Sequence, residues 1–226
     1  MTHYSTEIAS TLSRAAADAY RPKAEAQMVG LNWQADDAEF IEEDDSTALL
    51  IADGSSLIVA HRGTQITSVT DWRNNLDLET GETLCGKVRL KGHAGFFAAW
   101  RAVFPWLWLR ITHHRPQTVY VTGHSLGAPQ AVLTAFALSR EGLNVRGVYT
   151  FGSPRCFTHG SARRINRELG CPYRLTNGND HGDHRECDCR TSRRHGDRRH
   201  AGVAWPAGLC RRGWQSGSSR ETDEKA

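Results

Sequence analysis

An α/β fold, with a mixed and mostly parallel sheet flanked by helices, is what the order of apolar segments in this sequence predicts. Two β-branched runs, Thr118–Thr122 and Val145–Phe151, bracket a stretch from Ser125 to Arg140 that reads as a helix. Strand, helix and strand in that order require a crossover, and a crossover joins parallel strands. Ahead of this unit, three short apolar runs separated by turn residues read as an antiparallel meander. The third observation is where the aliphatic residues stop: Ile, Leu and Val supply 34 of residues 1–180, but only Val203 and Leu209 follow.

The 226 residues fit one sizeable domain with additions rather than two full domains. At 39% hydrophobic and 23% charged the composition is that of an ordinary globular chain. No run approaches the ~18 apolar residues that a transmembrane helix needs. Met1-Thr2-His3-Tyr4-Ser5 carries no basic start followed by an apolar run, so a cytoplasmic protein is expected, with secretion left open. Charge divides as the aliphatics do. Residues 1–180 hold 18 basic and 18 acidic side chains, whereas 181–226 hold 10 and 7, so the whole net charge of +3 lies in the tail. Two units are expected: a folded domain over 1–180, incomplete at its C-terminal end, and an Arg/His/Cys-rich tail over 181–226. A tail so poor in aliphatics buries too little surface to offset its ordering entropy. It reads as disordered, or as translated out of frame. Cysteines at 85, 156, 171, 187, 189 and 210 are expected to be reduced thiols.

Taken in order, Ile8, Leu12, Ala15, Ala16 and Tyr20 recur at near-helical spacing and predict an amphipathic opening helix over 5–20. Ala38–Glu42, Thr47–Ala52 and Ser56–Ala60 predict the meander, with Asp44-Asp45 and Asp53-Gly54 as its turns. Gly63 to about Val88 reads as loop-rich. Gly95–Trp108, dense in Phe and Trp, reads as a helix whose aromatics face the core. After the crossover unit, Tyr173–Thr176 predicts one more short strand.

Chemistry concentrates in Thr122-Gly123-His124-Ser125-Leu126-Gly127-Ala128, a G-x-S-x-G pattern between the predicted strand and helix. That context is what a nucleophile elbow needs: a sharp strand-to-helix turn lifts the serine hydroxyl clear of the sheet. It forces the serine backbone into a sparsely populated region. Gly123 and Gly127 follow from the same geometry, since a Cβ at either place would collide across the turn. The helix beginning there aims free amides and its dipole at developing negative charge.

With these residues stand Arg62-Gly63-Thr64, Asp71-Trp72, Asn75-Leu76-Asp77, His93-x-Gly95-Phe96, Thr150-Phe151-Gly152-Ser153-Pro154-Arg155 and Asn179-Asp180. In this order, from about residue 15 to 180, the sequence resembles the class 3, fungal-type lipases of the α/β-hydrolase superfamily. The resemblance implies Ser125 as nucleophile, Asp180 as the acid of a triad, and an oxyanion hole from the amides of Leu126 and Thr64. It places a lid at Gln65–Trp72. The implied substrate is an acylglycerol or similar carboxylic ester, met through contact with a lipid interface, and the implied chemistry needs neither metal nor organic cofactor. Two positions depart from the family pattern. His61 stands where an aromatic or aliphatic residue usually precedes Arg-Gly-Thr, and Pro129 follows the elbow.

The triad histidine has no motif of its own. Chain order demands that it follow Asp180, which sets aside His93, His113 and His114 for structural roles. His181, His184, His195 and His200 remain, and His200, furthest from Asp180, is the choice. A lipase-fold protein lacking its histidine is the alternative. Metal binding by the tail's His181, His184, Cys187, Cys189, His195, His200 and Cys210 is disfavoured, because Cys187-x-Cys189 lacks the usual zinc spacing. Nucleic acid is not expected as a partner, since seven interleaved acids dilute the tail's basic charge. Nothing in the sequence marks an oligomeric state.

Overall fold

A computed structural model describes residues 4–63, 80–170 and 172–176. Ser5 caps the first helix, its hydroxyl accepting the Ile8 amide at 3.2 Å, and α1 (Thr6–Asp18) buries Ala9, Leu12, Ala15 and Ala16. A short α2 (Ala26–Trp33) leads into β1 (Asp37–Glu43), β2 (Ser46–Asp53) and β3 (Ser56–His61). Then come β4 (Thr80–Cys85), β5 (Val88–His93) and α3 (Ala94–His114). The remaining elements are β6 (Thr118–His124), α4 (Gly127–Arg140), β7 (Val145–Phe151), α5 (His159–Leu169) and β8 (Tyr173–Leu175).

Six strands form one sheet in the order β1-β2-β3-β6-β7-β8. The first two pairings are antiparallel, the meander expected from the sequence, and the other three are parallel. Helices cover both faces, which is why the central strands read as nearly unbroken apolar runs. Leu49, Ile51 and Ala60 pack with Phe40, Ala15, Ala19 and Val29 on the side of α1 and α2. Leu50, Val59, Val121 and Val148 point the other way, into the larger core shared with Trp100, Leu107, Leu133 and Phe136 of α3 and α4.

Three features, a hairpin and two helices, go beyond the sequence expectation. β4 and β5 make a hairpin that begins inside the stretch read as loop-rich and runs past its end, turning at Gly86, whose φ is +59°. Thr83, Cys85, Val88 and Leu90 face the core while Glu82, Arg89 and Lys91 alternate outward, with Glu82 bonded to Arg89 at 2.7 Å and to Lys91 at 2.9 Å. The turn residues are Gly-Lys rather than Asn-Gly, and Thr, Gly and Cys dilute the apolar alternation. α2 and α5 are the other two. The aromatic helix runs six residues beyond Trp108, to His114. Phe96, Phe97 and Trp100 are core residues as expected, but Trp106 is 52% exposed. Pro129 sits in the first turn of α4, where an amide has no intrahelical acceptor to lose.

Candidate active site

Three neighbouring segments meet at the C-terminal edge of the parallel strands: the end of β3, the end of β6 and the first turn of α4. Ser125 joins the last two at φ +53°, a left-handed conformation unusual for a residue with a Cβ. The surroundings impose it. The Ser125 amide donates to Phe151 O of β7 at 2.9 Å, and its carbonyl accepts from Ala128 N at 3.1 Å. A Cβ at Gly123 would lie 2.4 Å from Gly127 O, and one at Gly127 would lie 2.3 Å from His61 O. Any larger residue at either place must displace backbone.

Gly63 closes the arrangement from the β3 side. A Cβ there would meet the Tyr20 hydroxyl at 2.5 Å, His124 O at 2.8 Å and Leu126 N at 3.3 Å, so its backbone lies directly over the amide that follows the serine. The Tyr20 hydroxyl accepts the Gly63 amide at 3.2 Å and lies 2.8 Å from His124 Nδ1. It therefore ties the end of β3 to the residue preceding the serine. Burial pushes the Tyr20 phenol up to about 12, so it stays protonated and can donate to the imidazole.

Below the elbow lies a wholly buried polar group. His61 Nε2 is 2.9 Å from Thr134 Oγ1, which also accepts Trp100 Nε1–H at 3.1 Å. Desolvation holds the His61 ring near 3, so the imidazole is neutral. Three further described histidines belong to other elements. His93 caps α3, accepting Gly95 N at 3.1 Å, and meets the Phe96 ring edge-on. His114 lies 3.6 Å from an Asp37 oxygen, and His159 opens α5 on the surface. Among the described residues no histidine is hydrogen-bonded to Ser125.

The structure thus brings Ser125, Leu126, Gly123 and Gly127 together. Thr64, the lid segment Gln65–Trp72, Asp180, His200 and the whole of 181–226 lie outside the described residues. β8 ends at the edge that carries the serine: Leu175 pairs with Phe151, the residue whose carbonyl holds Ser125. Sequence reasoning missed Tyr20 as a member of the site. It counted the residue as part of an amphipathic stripe, and nothing local signals a hydroxyl that reaches residues 63 and 124. His61 did give a signal, as a departure from the family pattern.

A serine lifted on a strand-to-helix elbow at the C-terminal edge of a parallel sheet, its neighbouring amide facing a second backbone segment, defines an α/β-hydrolase-type fold. The profile of the family described as Lipase (class 3) matches residues 58–181, and the chain belongs to that family. A secreted mono- and diacylglycerol lipase of Fusarium solani is 31% identical over 129 residues, covering 55% of this chain and 37% of that lipase. This chain thus matches well under half the length of that relative. Among solved structures, the lipase of Rhizopus microsporus var. chinensis superposes with a TM-score of 0.61 at 23% identity, over 78% of this chain and 67% of that one. The triacylglyceride lipase of Rhizomucor miehei gives 0.57 at 22%, over 78% and 73%. These likenesses establish the fold, as expected from the sequence. Among the described residues no helix is long and apolar enough to cross a membrane.

Proposed function

We propose that the protein is a serine carboxylic-ester hydrolase acting on acylglycerols or similar esters. The observation that carries the reading is Ser125 at φ +53° between β6 and α4, with Gly63 packed over the Leu126 amide. Ser125 Oγ attacks the ester carbonyl, and the carbonyl oxygen becomes an oxyanion. The Leu126 amide and Thr64 donate to it, and loss of one such donor typically costs about 10²–10³ in rate. A histidine takes the serine proton and returns it to the leaving alcohol, giving an acyl-enzyme that water then cleaves. We assign that base to His200 and its orienting acid to Asp180. The names of the Fusarium and Rhizomucor relatives, lipases of mono-, di- and triacylglycerols, support the substrate class.

One observation favours a second reading. No described histidine is hydrogen-bonded to Ser125, and the base assigned above lies outside the described residues. If none arrives, the protein is a lipase-fold chain without turnover. Hydrolysis of a short-chain p-nitrophenyl ester by the full chain decides between them. The first reading expects turnover that vanishes in Ser125→Ala and falls to a similar residue in His200→Ala. Wild-type turnover no greater than that of Ser125→Ala would establish the second.

A further inference from the structure

His61 is one of the two positions at which the sequence departs from the family pattern, and its surroundings are specific. The ring is fully buried, as is Thr134, and Trp100 is 3% exposed. Trp100 Nε1–H can only donate, so Thr134 Oγ1 accepts from it at 3.1 Å. The Thr134 hydroxyl then has its own proton to give, and His61 Nε2 stands 2.9 Å away. Acceptance at Nε2 puts the ring proton of a neutral imidazole on Nδ1. Beside this chain, two buried polar atoms have no hydrogen-bond partner among the described residues: His61 Nδ1 and Gln130 Oε1. They are complementary, a donor and an acceptor, and the Gln130 side chain is close enough to act on the His61 ring. Buried polar atoms in folded proteins are nearly always paired, which makes Gln130 Oε1 the acceptor that suits His61 Nδ1–H.

The chain of contacts runs from α3 through α4 to the last residue of β3. That residue is next to the site. His61 O is the atom that a Cβ on Gly127 would strike, and Gly63, two residues on, covers the Leu126 amide. Pulling or releasing the His61 ring therefore shifts the segment that faces the oxyanion against the helix that carries the nucleophile.

We infer that His61 is a positioning residue, held as its Nδ1–H tautomer between Thr134 and Gln130 so that the end of β3 keeps its spacing from the nucleophile elbow. It touches no substrate and acts through the backbone of residues 61–63. The kinetic consequence rests on the proposed ester hydrolysis, whereas the tautomer does not.

Two measurements on the full chain test it. First, ¹⁵N spectra of the histidine rings, assigned by loss of a signal in His61→Phe or Thr134→Val, should show one neutral ring protonated at Nδ1 that does not titrate under mildly acidic conditions. A ring protonated at Nε2, or one titrating like an exposed histidine, overturns the inference even if the protein has no turnover. Second, if the wild type hydrolyses p-nitrophenyl esters, His61→Phe and Thr134→Val should each lower kcat about 10-fold with KM little changed, as expected of a misplaced rather than missing donor. The double variant should be no worse than either single one. Thr134→Ser, which keeps the hydroxyl, should restore kcat. Wild-type kcat in folded Thr134→Val, or additive losses in the double variant, would refute a positioning role. Where His61→Phe does not fold, Thr134→Val and the spectra carry the test.

Discussion

Two helices do the same topological job in this sheet and differ in almost every other respect. α4 crosses from β6 to β7, and α5 crosses from β7 to β8. Every residue of α4 from Gly127 to Leu138 is buried, wedged between the sheet, α3 and the β4–β5 hairpin. α5 buries only Ser161 and Ile165, and its outer face carries Arg163, Arg164 and Arg167. The central helix begins just after Ser125, the proposed nucleophile, so its position fixes where that side chain stands. The edge helix closes one flank and is held by a narrow stripe and a surface ion pair. Position within the sheet, rather than helix propensity, decides how much a residue in either one matters.

The largest effect is expected where α4 starts. Gly127→Ala sets a Cβ 2.3 Å from His61 O, backbone against backbone, so a loss above about 4 kcal/mol or outright failure to fold should appear in thermal melts. Stability close to wild type would show that the elbow has room that its geometry denies.

Acid should act on α4 through His61. The ring's folded pKa is about 3, far below the ordinary 6.5. Below pH 6.5 the unfolded chain binds a proton that the folded chain refuses. Stability from this group is therefore complete above 6.5 and is lost as the pH falls toward 3, by up to an amount on the order of 4 kcal/mol. Thr134 and Gln130 beside the ring are uncharged, and the Gln130 side chain offsets only part of the desolvation. Denaturant midpoints taken down that pH range should fall less steeply in His61→Phe than in wild type, and equal slopes would contradict the burial of a neutral imidazole.

Truncating one core residue on each helix puts the comparison into numbers. Phe136 of α4 is 0% exposed in the middle of the main core, and Phe136→Ala should cost about 3–5 kcal/mol. Ile165 of α5 is as well buried, at 2%, but lies at an edge that can collapse onto it, so Ile165→Ala should cost about 2 kcal/mol. Equal losses in chemical denaturation would show that the edge is packed as rigidly as the centre.

Smallest of all should be Arg164→Ala. Its bond to Glu168 spans 3.2 Å with side-chain exposures of 44% and 23%, and Glu168 keeps a second partner in Arg140 at 3.4 Å. A change within about 1 kcal/mol is expected in the same assay. A larger one would make α5 more than a flank.

Legibility followed the same division. Val119, Val121, Ala131, Val132 and Leu138 are local signals: continuous apolar strands, then a helix apolar all round, with glycines spaced for a tight turn. They sufficed to place β6, the elbow and α4. α5 offered Ser161, Ile165 and Leu169 amid four charged residues, a stripe too thin to stand out from a connection. The hairpin was hidden differently. Its alternation is real, but Cys85 and Thr83 serve as its core residues, and its packing depends on α3 and α4 rather than on strand neighbours in the main sheet. Trp106 shows the opposite failure: an aromatic at helical spacing was assigned to the core and stands in solvent.

What the sequence determined alone was whatever short-range geometry dictates: the meander, the crossover unit, and the Gly123-His124-Ser125-Leu126-Gly127 turn, whose steric demands are satisfied within a few residues of chain. Tertiary structure decided what depends on groups far apart along the chain. The Tyr20 hydroxyl reaches Gly63 and His124, 43 and 104 residues away, and His61 reaches Thr134 across 73. A phenol or an imidazole in the sequence is compatible with surface, core or site. Only the packing of α1 and α4 on opposite faces of one sheet fixes which neighbours each ring meets, and so which way its proton points.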